Sequence, residues 1–441
     1  MNYFDEIIGY EDIKEKLLAL DDYYKHPEVY EKLNAKPKTN ILLDGKEGTG
    51  RSSLAIALAK TMGIPLYEVE KQETQEQMIS EIKKVFADAT ENAPAFILLK
   101  NIDTYRFDES FEQEYNIIKS KIDEAESTEK PIFVFATSMH YESLPHNLRK
   151  KFKTLTMPDV TVQDAVKIAD KYIEEKGYKV DFSIEDIVRM LRFKGCGQLK
   201  EILNDAAVVA ANNRHEKITE NDIMSVFLSK NKQQLKDDTD IWSSDTDKVT
   251  GHQLSLGLSN IIDKDAVYFH EAGHLLSLII YENALDNFGY ACAYEIENNN
   301  HYCGKVAKFR YDESNPQERI VTLLCAEAAV ELFFEINDYG SESDYKKAID
   351  LIREQVKKED SNLRPVLSNK NSDMSDKLAA ELEAVVHHEL TKYKLIARSL
   401  IFDYKDMVKE FAKELKHNGY LLYSKAKEIS SNAGLIDQSL L

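Results

Sequence analysis

The pattern with the clearest chemical meaning in this 441-residue chain is His270-Glu271-Ala272-Gly273-His274. Histidines four positions apart lie on one face of a helix, where both imidazoles can bind one Zn²⁺ ion. Zinc makes hydroxide available near neutral pH, and the glutamate between the histidines is placed to accept a proton from the bound water. The sequence therefore predicts a hydrolytic zinc site with His270 and His274 as ligands and Glu271 as the base.

The flanking residues predict that this motif lies on a buried helix. Apolar or small residues recur at spacings of three and four positions, at Ala266, Phe269, Gly273, Leu276 and Ile280. A glycine within a helix costs about 1 kcal/mol relative to alanine, so Gly273 indicates close packing by another segment. A chance match is the competing explanation, and the apolar helical context argues against it.

A catalytic zinc site needs a third protein ligand and an open fourth position. The extended motif with a further Gly and His is absent, because Ser277 and Ile280 occupy those places. Downstream carboxylates are the remaining candidates, and spacing alone leaves Asp344, Glu295 and Glu331 nearly equal. The plain alternative for Asp344 is an acidic residue favoured at a helix start by the helix dipole.

The first 230 residues alternate apolar strands with helices. Residues 41–43, 95–99 and 131–136 are continuous apolar runs, typical of strands that a parallel sheet buries on both faces. From residue 159 to 229 the pattern is helical, and 230–250 is polar. The sequence therefore predicts an α/β unit, a helical unit, a linker and a mostly helical second domain.

A glycine-rich turn follows the first apolar run. Gly45, Gly48 and Gly50 would let backbone amides approach a phosphate, and Ser52 is placed to hold Mg²⁺. Arg51 stands where such loops carry their phosphate-binding lysine, and its forked guanidinium is not equivalent to an ammonium group. The turn predicts a degenerate nucleotide loop, and the sequence leaves open whether ATP or ADP still binds.

Over nearly its whole length, the chain resembles the FtsH family of AAA+ zinc proteases. The likeness rests on the motif at 269–274, on the segments at 4–14 and 26–43 that precede the phosphate loop, and on Gly340-Ser-Glu-Ser-Asp344. The last segment resembles the family segment whose final aspartate is the third zinc ligand. The resemblance therefore implies that Asp344 completes the zinc site.

The resemblance also implies an architecture. It is an α/β AAA+ module, with a parallel sheet at 1–157 and a helical lid at 158–230, followed by a linker at 231–254. A mainly α-helical zinc metallopeptidase domain occupies 255–441. Zn²⁺ as cofactor, a polypeptide substrate and a homo-oligomer such as a hexamer are implied in the same way.

Departures from the family pattern predict an inactive motor. The family places Asp-Glu after the 95–99 strand to hold Mg²⁺ and polarise water, whereas this chain has Lys100-Asn101. A polar segment at 73–78 stands where the family carries an aromatic substrate grip, and the arginine-finger stretch is shortened to 148–152. We therefore expect neither ATP hydrolysis nor substrate threading.

Composition argues against several other classes of protein. The chain has 77 acidic and 57 basic residues, a net charge of −20, so it lacks the basic footprint of a nucleic-acid-binding protein. It has no run of 18 apolar residues, no signal-peptide pattern at its start and only four cysteines. We expect a soluble cytoplasmic protein with no nucleic-acid partner and no membrane span.

The main interpretation is a soluble zinc endopeptidase that cleaves unfolded or flexible polypeptides, with an AAA+ module kept for assembly or regulation. A substrate peptide would add to a sheet edge near 291–297 by β-augmentation. The alternatives are a non-catalytic regulatory partner with a structural zinc, and a slow residual ATP-dependent protease. The intact Glu271 favours the peptidase, because a structural zinc site has no use for a general base.

Overall fold

The computed structural model describes residues 3–105, 112–128, 130–192, 196–237, 250–254, 265–296, 301–308, 315–335, 342–359 and 376–433. Contacts divide the chain into two compact units, the first formed by residues 1–176 and 194–201 and the second by 177–193 and 202–441. Within the described ranges, no helix is long and apolar enough to cross a membrane.

The first unit is built on a parallel sheet with strand order β2-β3-β4-β1-β5. Its strands are β1 (Ile41–Asp44), β2 (Leu66–Val69), β3 (Ala95–Leu99), β4 (Ile132–Ser138) and β5 (Lys153–Thr156). The apolar runs of the sequence form the three central strands, which are almost entirely buried. The predicted parallel sheet is confirmed.

The helices of this unit are α1 (Glu11–Lys25), α2 (Pro27–Lys32), α3 (Arg51–Met62), α4 (Gln75–Glu91), α5 (Glu112–Ala125), α6 (His146–Arg149) and α7 (Val162–Lys176). Helices α1 and α3 pack on one face of the sheet, and α4 and α5 pack on the other. Side chains of a strand alternate between the two faces. Phe96 therefore packs in a core with Leu17 of α1 and Leu54 of α3, whereas Ile97 packs in a second core with residues of α4 and α5. This arrangement holds the carboxyl ends of β1, β3 and β4 at one edge of the sheet.

The second unit begins with elements from the predicted lid. These are β6 (Val180–Asp181), α8 (Ile184–Met190), β7 (Ile218–Thr219) and α10 (Glu220–Asp237); α9 (Cys196–Asn212) is shared by both units. Asp186 of α8 accepts a hydrogen bond from the Ser424 N–H at 2.8 Å, and the Tyr420 hydroxyl donates to Glu220 at 2.9 Å. Such contacts group part of the predicted lid with the C-terminal residues. The domain boundaries at 157, 230 and 254 remain a prediction.

The rest of the second unit combines a sheet with a helical layer. The further strands are β8 (Thr250–Leu254), β9 (Phe288–Ile296), β10 (His301–Lys308) and β11 (Tyr420–Leu422). The helices are α11 (Ala266–Ile280), α12 (Pro316–Phe334), α13 (Glu342–Glu359), α14 (Asp376–Asp403), α15 (Lys405–Asn418) and α16 (Tyr423–Asn432). Two parts of the predicted linker thus have regular structure, because α10 continues to Asp237 and residues 250–254 pair with β10.

The prediction of an open sheet edge near 291–297 is wrong for residues 291–293, which have neighbours on both sides. The strand order is β11-β9-β10-β8, so β9 has a neighbour on each side. Tyr290, Ala291 and Cys292 pair with β11, and the Ala293 N–H donates to the Gly419 carbonyl at 3.0 Å. The covering strand comes from far along the chain, so no local pattern around β9 reveals it.

Candidate metal centre

Helix α11 carries the His-Glu-Ala-Gly-His motif through the middle of the second core. It lies between α12, α15 and the sheet, and almost all its residues are buried, which explains why its sequence is apolar nearly all round. His270, Glu271 and His274 are each at most 1% exposed. The motif therefore lies on a helix, as its spacing predicts, with three polar side chains inside an apolar core.

A close approach of two helices fixes the position of this segment. A Cβ atom added at Gly273 would lie 2.5 Å from the Cys325 carbonyl oxygen of α12. Any side chain at this position would push the helices apart, because that distance is shorter than real Cβ contacts. The predicted reason for a glycine in mid-helix is confirmed.

Asp344, near the start of α13, meets the two histidines although it is 70 residues away from His274. Its Oδ2 atom lies 3.2 Å from Nε2 of His274 and 3.5 Å from Nε2 of His270. One potential ligand atom from each of these residues lies within 4.8 Å of the others, and the Asp344 side chain is fully buried. Two imidazoles and one carboxylate are the donor set of many catalytic zinc sites, so the residues fit this ion.

The ring orientation of His274 is set by α12. Its Nδ1 lies 2.8 Å from the Thr322 carbonyl oxygen, which can only accept, so Nδ1 carries the proton and Nε2 is left for a metal. The Thr322 hydroxyl donates to Glu282 at 2.6 Å, and Glu282 forms an ion pair with Lys308 of β10. These positioning residues have no recognisable spacing, so sequence reasoning missed them.

The other carboxylates that the sequence left open do not join this group where their side chains are described. Glu331 on α12 forms an ion pair with Arg398 at 2.8 Å, and Glu327 pairs with Lys394 at 3.2 Å, both directed toward α14. Glu295 lies in β9 opposite Tyr302, and its side chain is outside the described part.

The predicted base, Glu271, lies directly under β10. A Cβ atom added at Gly304 would overlap the Glu271 carboxylate. Because Gly304 has no side chain, it leaves space for the Glu271 carboxylate. No sequence motif predicts this second close approach between elements. The sheet and the predicted base are thus in direct contact.

The predicted nucleotide loop lies in the first unit, between β1 and α3. Gly48 and Gly50 have φ angles of +78° and +84°, in the left-handed region that glycine adopts without strain. Gly45 lies close to Met157, and a Cβ atom there would be 2.8 Å from the Met157 Cβ. Arg51 and Ser52 open α3.

The two residues at the degenerate second motif have other partners. Lys100 forms an ion pair with Glu68 of the neighbouring strand β2. The Asn101 N–H donates to the Thr137 hydroxyl at 2.8 Å. Lys100 thus balances the charge of Glu68 at the strand end.

Comparisons with known proteins match the first unit to a family and align relatives with most of the chain. Residues 41–158 match the AAA family, described as the ATPase family associated with various cellular activities. The ATP-dependent zinc metalloprotease FtsH of Helicobacter felis is 22% identical over 97% of this chain and 70% of its own length. The FtsH of Streptococcus pneumoniae serotype 4 is 24% identical over 80% of this chain and 54% of its own length. Among solved structures, the AAA domain of FIGL-1 is 15% identical with a TM-score of 0.43, covering 54% of this chain and 90% of that one.

The parallel sheet, the glycine turn before α3 and the family match define an AAA+ α/β module. FtsH relatives align with 80–97% of the chain at 22–24% identity, so the predicted resemblance to the FtsH family of AAA+ proteins is confirmed. The chain covers about half of the length of the S. pneumoniae FtsH, 54% of its residues.

Proposed function

We propose that the protein is a zinc-dependent endopeptidase that cleaves unfolded or flexible polypeptides. The observation that carries this proposal is the convergence of Asp344 on His270 and His274, at 3.5 and 3.2 Å, next to the buried Glu271. A group of buried polar side chains in an apolar core is costly unless it is paired or binds a metal ion. The FtsH relatives, which are named as zinc metalloproteases, support the same chemistry.

His270, His274 and Asp344 would hold the zinc ion, which when bound lowers the pKa of a water molecule. Glu271 lies three residues before the ligand His274, and residues at this spacing share one face of a helix, so its carboxylate is on the same side of the site. It accepts a proton from the attacking water and passes it to the nitrogen of the leaving amine. Thr322 keeps the proton of His274 on Nδ1, away from the ligand atom.

We propose further that the AAA+ module has lost ATP hydrolysis and threading and serves assembly or regulation of a homo-oligomer. Lys100, at the usual position of the Mg²⁺-binding acid, is used in an ion pair with Glu68. The polar segment at 73–78 starts a helix, with the Thr74 hydroxyl capping α4 through the Gln77 N–H at 3.3 Å and Met78 fully buried. It offers no aromatic side chain to grip a substrate.

Metal removal tests the peptidase proposal. We expect the purified protein to cleave casein without ATP, to lose this activity with a zinc chelator, and to regain it with about one equivalent of Zn²⁺ per chain, because the ligands make one site. Zinc content and casein cleavage are measured on the same sample. Cleavage that survives zinc removal would contradict the proposal, and so would stoichiometric zinc without any cleavage.

Gly304→Ala is expected to lower casein cleavage at least about tenfold while zinc content stays unchanged. The added methyl group overlaps the Glu271 carboxylate and displaces it, and the three atoms nearest to the added Cβ all belong to Glu271. Initial rates per folded, zinc-loaded molecule provide the measurement.

Gly289→Ala is the matched control for this variant. Gly289 lies in β9 of the same sheet, and its added Cβ would meet the Ala307 carbonyl oxygen at 2.9 Å rather than Glu271. We expect this variant to unfold at a lower temperature but to keep its rate per folded molecule. Equal activity losses in the two variants would assign the effect to the sheet in general and not to Glu271.

A further inference from the structure

A buried ion pair lies at the end of β10, beyond Gly304. It joins Lys308, the last residue of this strand, to Glu282, which follows the end of α11. The Glu282 side chain is only 4% exposed, and that of Lys308 is 24% exposed. A buried carboxylate is unfavourable unless it is paired and hydrogen-bonded, so this pair fixes the end of α11 and the end of β10 against each other.

One face of β10 makes all its contacts with α11. Gly304 leaves room for Glu271, and Val306 is buried in one core with apolar residues of α11. Lys308, the next residue but one, pairs with Glu282. Alternate residues of a strand share a face, so the fit over the predicted base and the ion pair belong to the same surface of the strand.

This alternation is regular up to the end of β10. The register with β9 shifts there, since Ala307 pairs with Tyr290 whereas Lys308 pairs with Phe288. The extra residue, Gly289, belongs to β9 and leaves the alternation of β10 intact.

The distances along the two elements also agree. From Gly304 to Lys308 a strand rises about 13 Å. From Glu271 to Glu282 a helix rises about 16 Å. Because these lengths are similar, β10 runs alongside α11, and the ion pair and the contact at Gly304 lie at the two ends of one interface.

Glu282 reaches the metal ligands as well, through Thr322 of α12. The Thr322 hydroxyl donates to Glu282 at 2.6 Å and lies 3.1 Å from the Glu318 carbonyl oxygen. A carboxylate is the stronger acceptor of the two, so Glu282 holds this hydroxyl. The carbonyl oxygen of Thr322 lies 2.8 Å from Nδ1 of His274. One carboxylate therefore holds the turn of α12 that orients a predicted zinc ligand.

We propose that Glu282 is a positioning residue for both halves of the site. Through Thr322 it orients the ligand His274, and through Lys308 it holds β10 over the base Glu271. The second connection rests on the proposed peptidase function, whereas the first concerns metal affinity alone.

Glu282→Gln tests both connections, because it removes the charge and keeps the size of the side chain. We expect the zinc affinity to fall about tenfold or more, since loss of a residue that supports a metal ligand has effects of this size. In zinc-loaded protein, kcat for casein should fall about tenfold while KM changes less than about twofold. Competition with a metal-sensitive dye measures the affinity, and initial rates over a range of casein concentrations give kcat and KM.

Variants of Lys308 test the connection to Glu271. Lys308→Met is expected to lower kcat about tenfold at one zinc ion per chain, whereas Lys308→Arg keeps the ion pair and stays within about threefold of the unmodified protein. Lys394→Met is the matched control, because Lys394 and Glu327 form a pair of similar burial, 26% and 16% exposed, that is directed toward α14. We expect it to leave zinc affinity and kcat unchanged.

A lower unfolding temperature in Glu282→Gln, with zinc affinity and kcat unchanged, would make the pair merely structural and overturn the proposal. Losses in Lys394→Met equal to those in Lys308→Met would overturn it too. If Glu282→Gln does not fold, equal kcat values in Lys308→Met and Lys308→Arg refute the proposal. The dye measurement needs no cleavage, so an unmodified protein that cleaves nothing would contradict the peptidase function, and zinc affinity in Glu282→Gln would still support or refute the connection to His274.

Discussion

Glu271→Gln is expected to reduce casein cleavage by about 10²- to 10⁴-fold while the protein still carries about one zinc ion per chain. The amide has nearly the same shape as the carboxylate, so it still fits beneath Gly304 in the fully buried position. It cannot accept a proton, however, and the attack on the peptide carbonyl loses its base. Initial cleavage rates and zinc analysis on the same preparation measure both effects.

Glu271→Asp is the conservative comparison for this variant. It keeps a carboxylate but withdraws it by one methylene, so we expect an intermediate rate with the same zinc content. Unchanged cleavage in Glu271→Gln would remove Glu271 from the mechanism. Unmodified protein that holds zinc but cleaves nothing would instead favour the regulatory alternative, in which the metal is structural.

Asp344→Asn is expected to weaken zinc binding by at least about 100-fold and to abolish cleavage with it. Loss of a residue that only supports a ligand already costs about 10- to 100-fold in metal affinity, so loss of the one charged ligand costs more. The Asp344 Oδ2 atom is within 3.5 Å of both imidazole nitrogens, and the neutral amide is a poorer zinc ligand. Competition with a metal-sensitive dye measures the affinity.

Glu331→Gln is the matched control for Asp344→Asn. Like Asp344→Asn, it replaces a carboxylate by a neutral amide. Sequence spacing alone could not distinguish Glu331 from Asp344 as the third zinc ligand. Because Glu331 pairs with Arg398 on α14, we expect its zinc affinity and cleavage rate to match those of the unmodified protein. Zinc loss in this variant, with zinc retained in Asp344→Asn, would show that the ligand set is wrong.

The local sequence was sufficient to predict which strands are buried on both faces and where a helix is closely approached by another segment. The continuous apolar runs of β1, β3 and β4 predicted their burial, because a strand covered on both faces has no polar side. Likewise, the position of Gly273 within an apolar helical repeat predicted a close helix contact, which Cys325 provides.

Features that depend on distant segments were not predictable from local pattern. Spacing did not separate Asp344 from Glu295 and Glu331, because the packing of α13 on α12 decides which carboxylate meets α11. The same limit explains the error at β9, whose outer side is taken by β11 from the C-terminal part of the chain. The fit of Gly304 over Glu271 likewise depends on how the sheet packs on α11.

The ion pair between Lys100 and Glu68 also bears on whether an acidic magnesium ligand can be placed at position 100 by design. Lys100→Asp alone would set two carboxylates side by side at the end of β3, where both side chains are about a third exposed, at 35% and 29%. Their mutual repulsion would raise the pKa of one of them and weaken the very ligand that the substitution is meant to supply. A design that places an acidic residue at position 100 therefore needs a compensating change at Glu68.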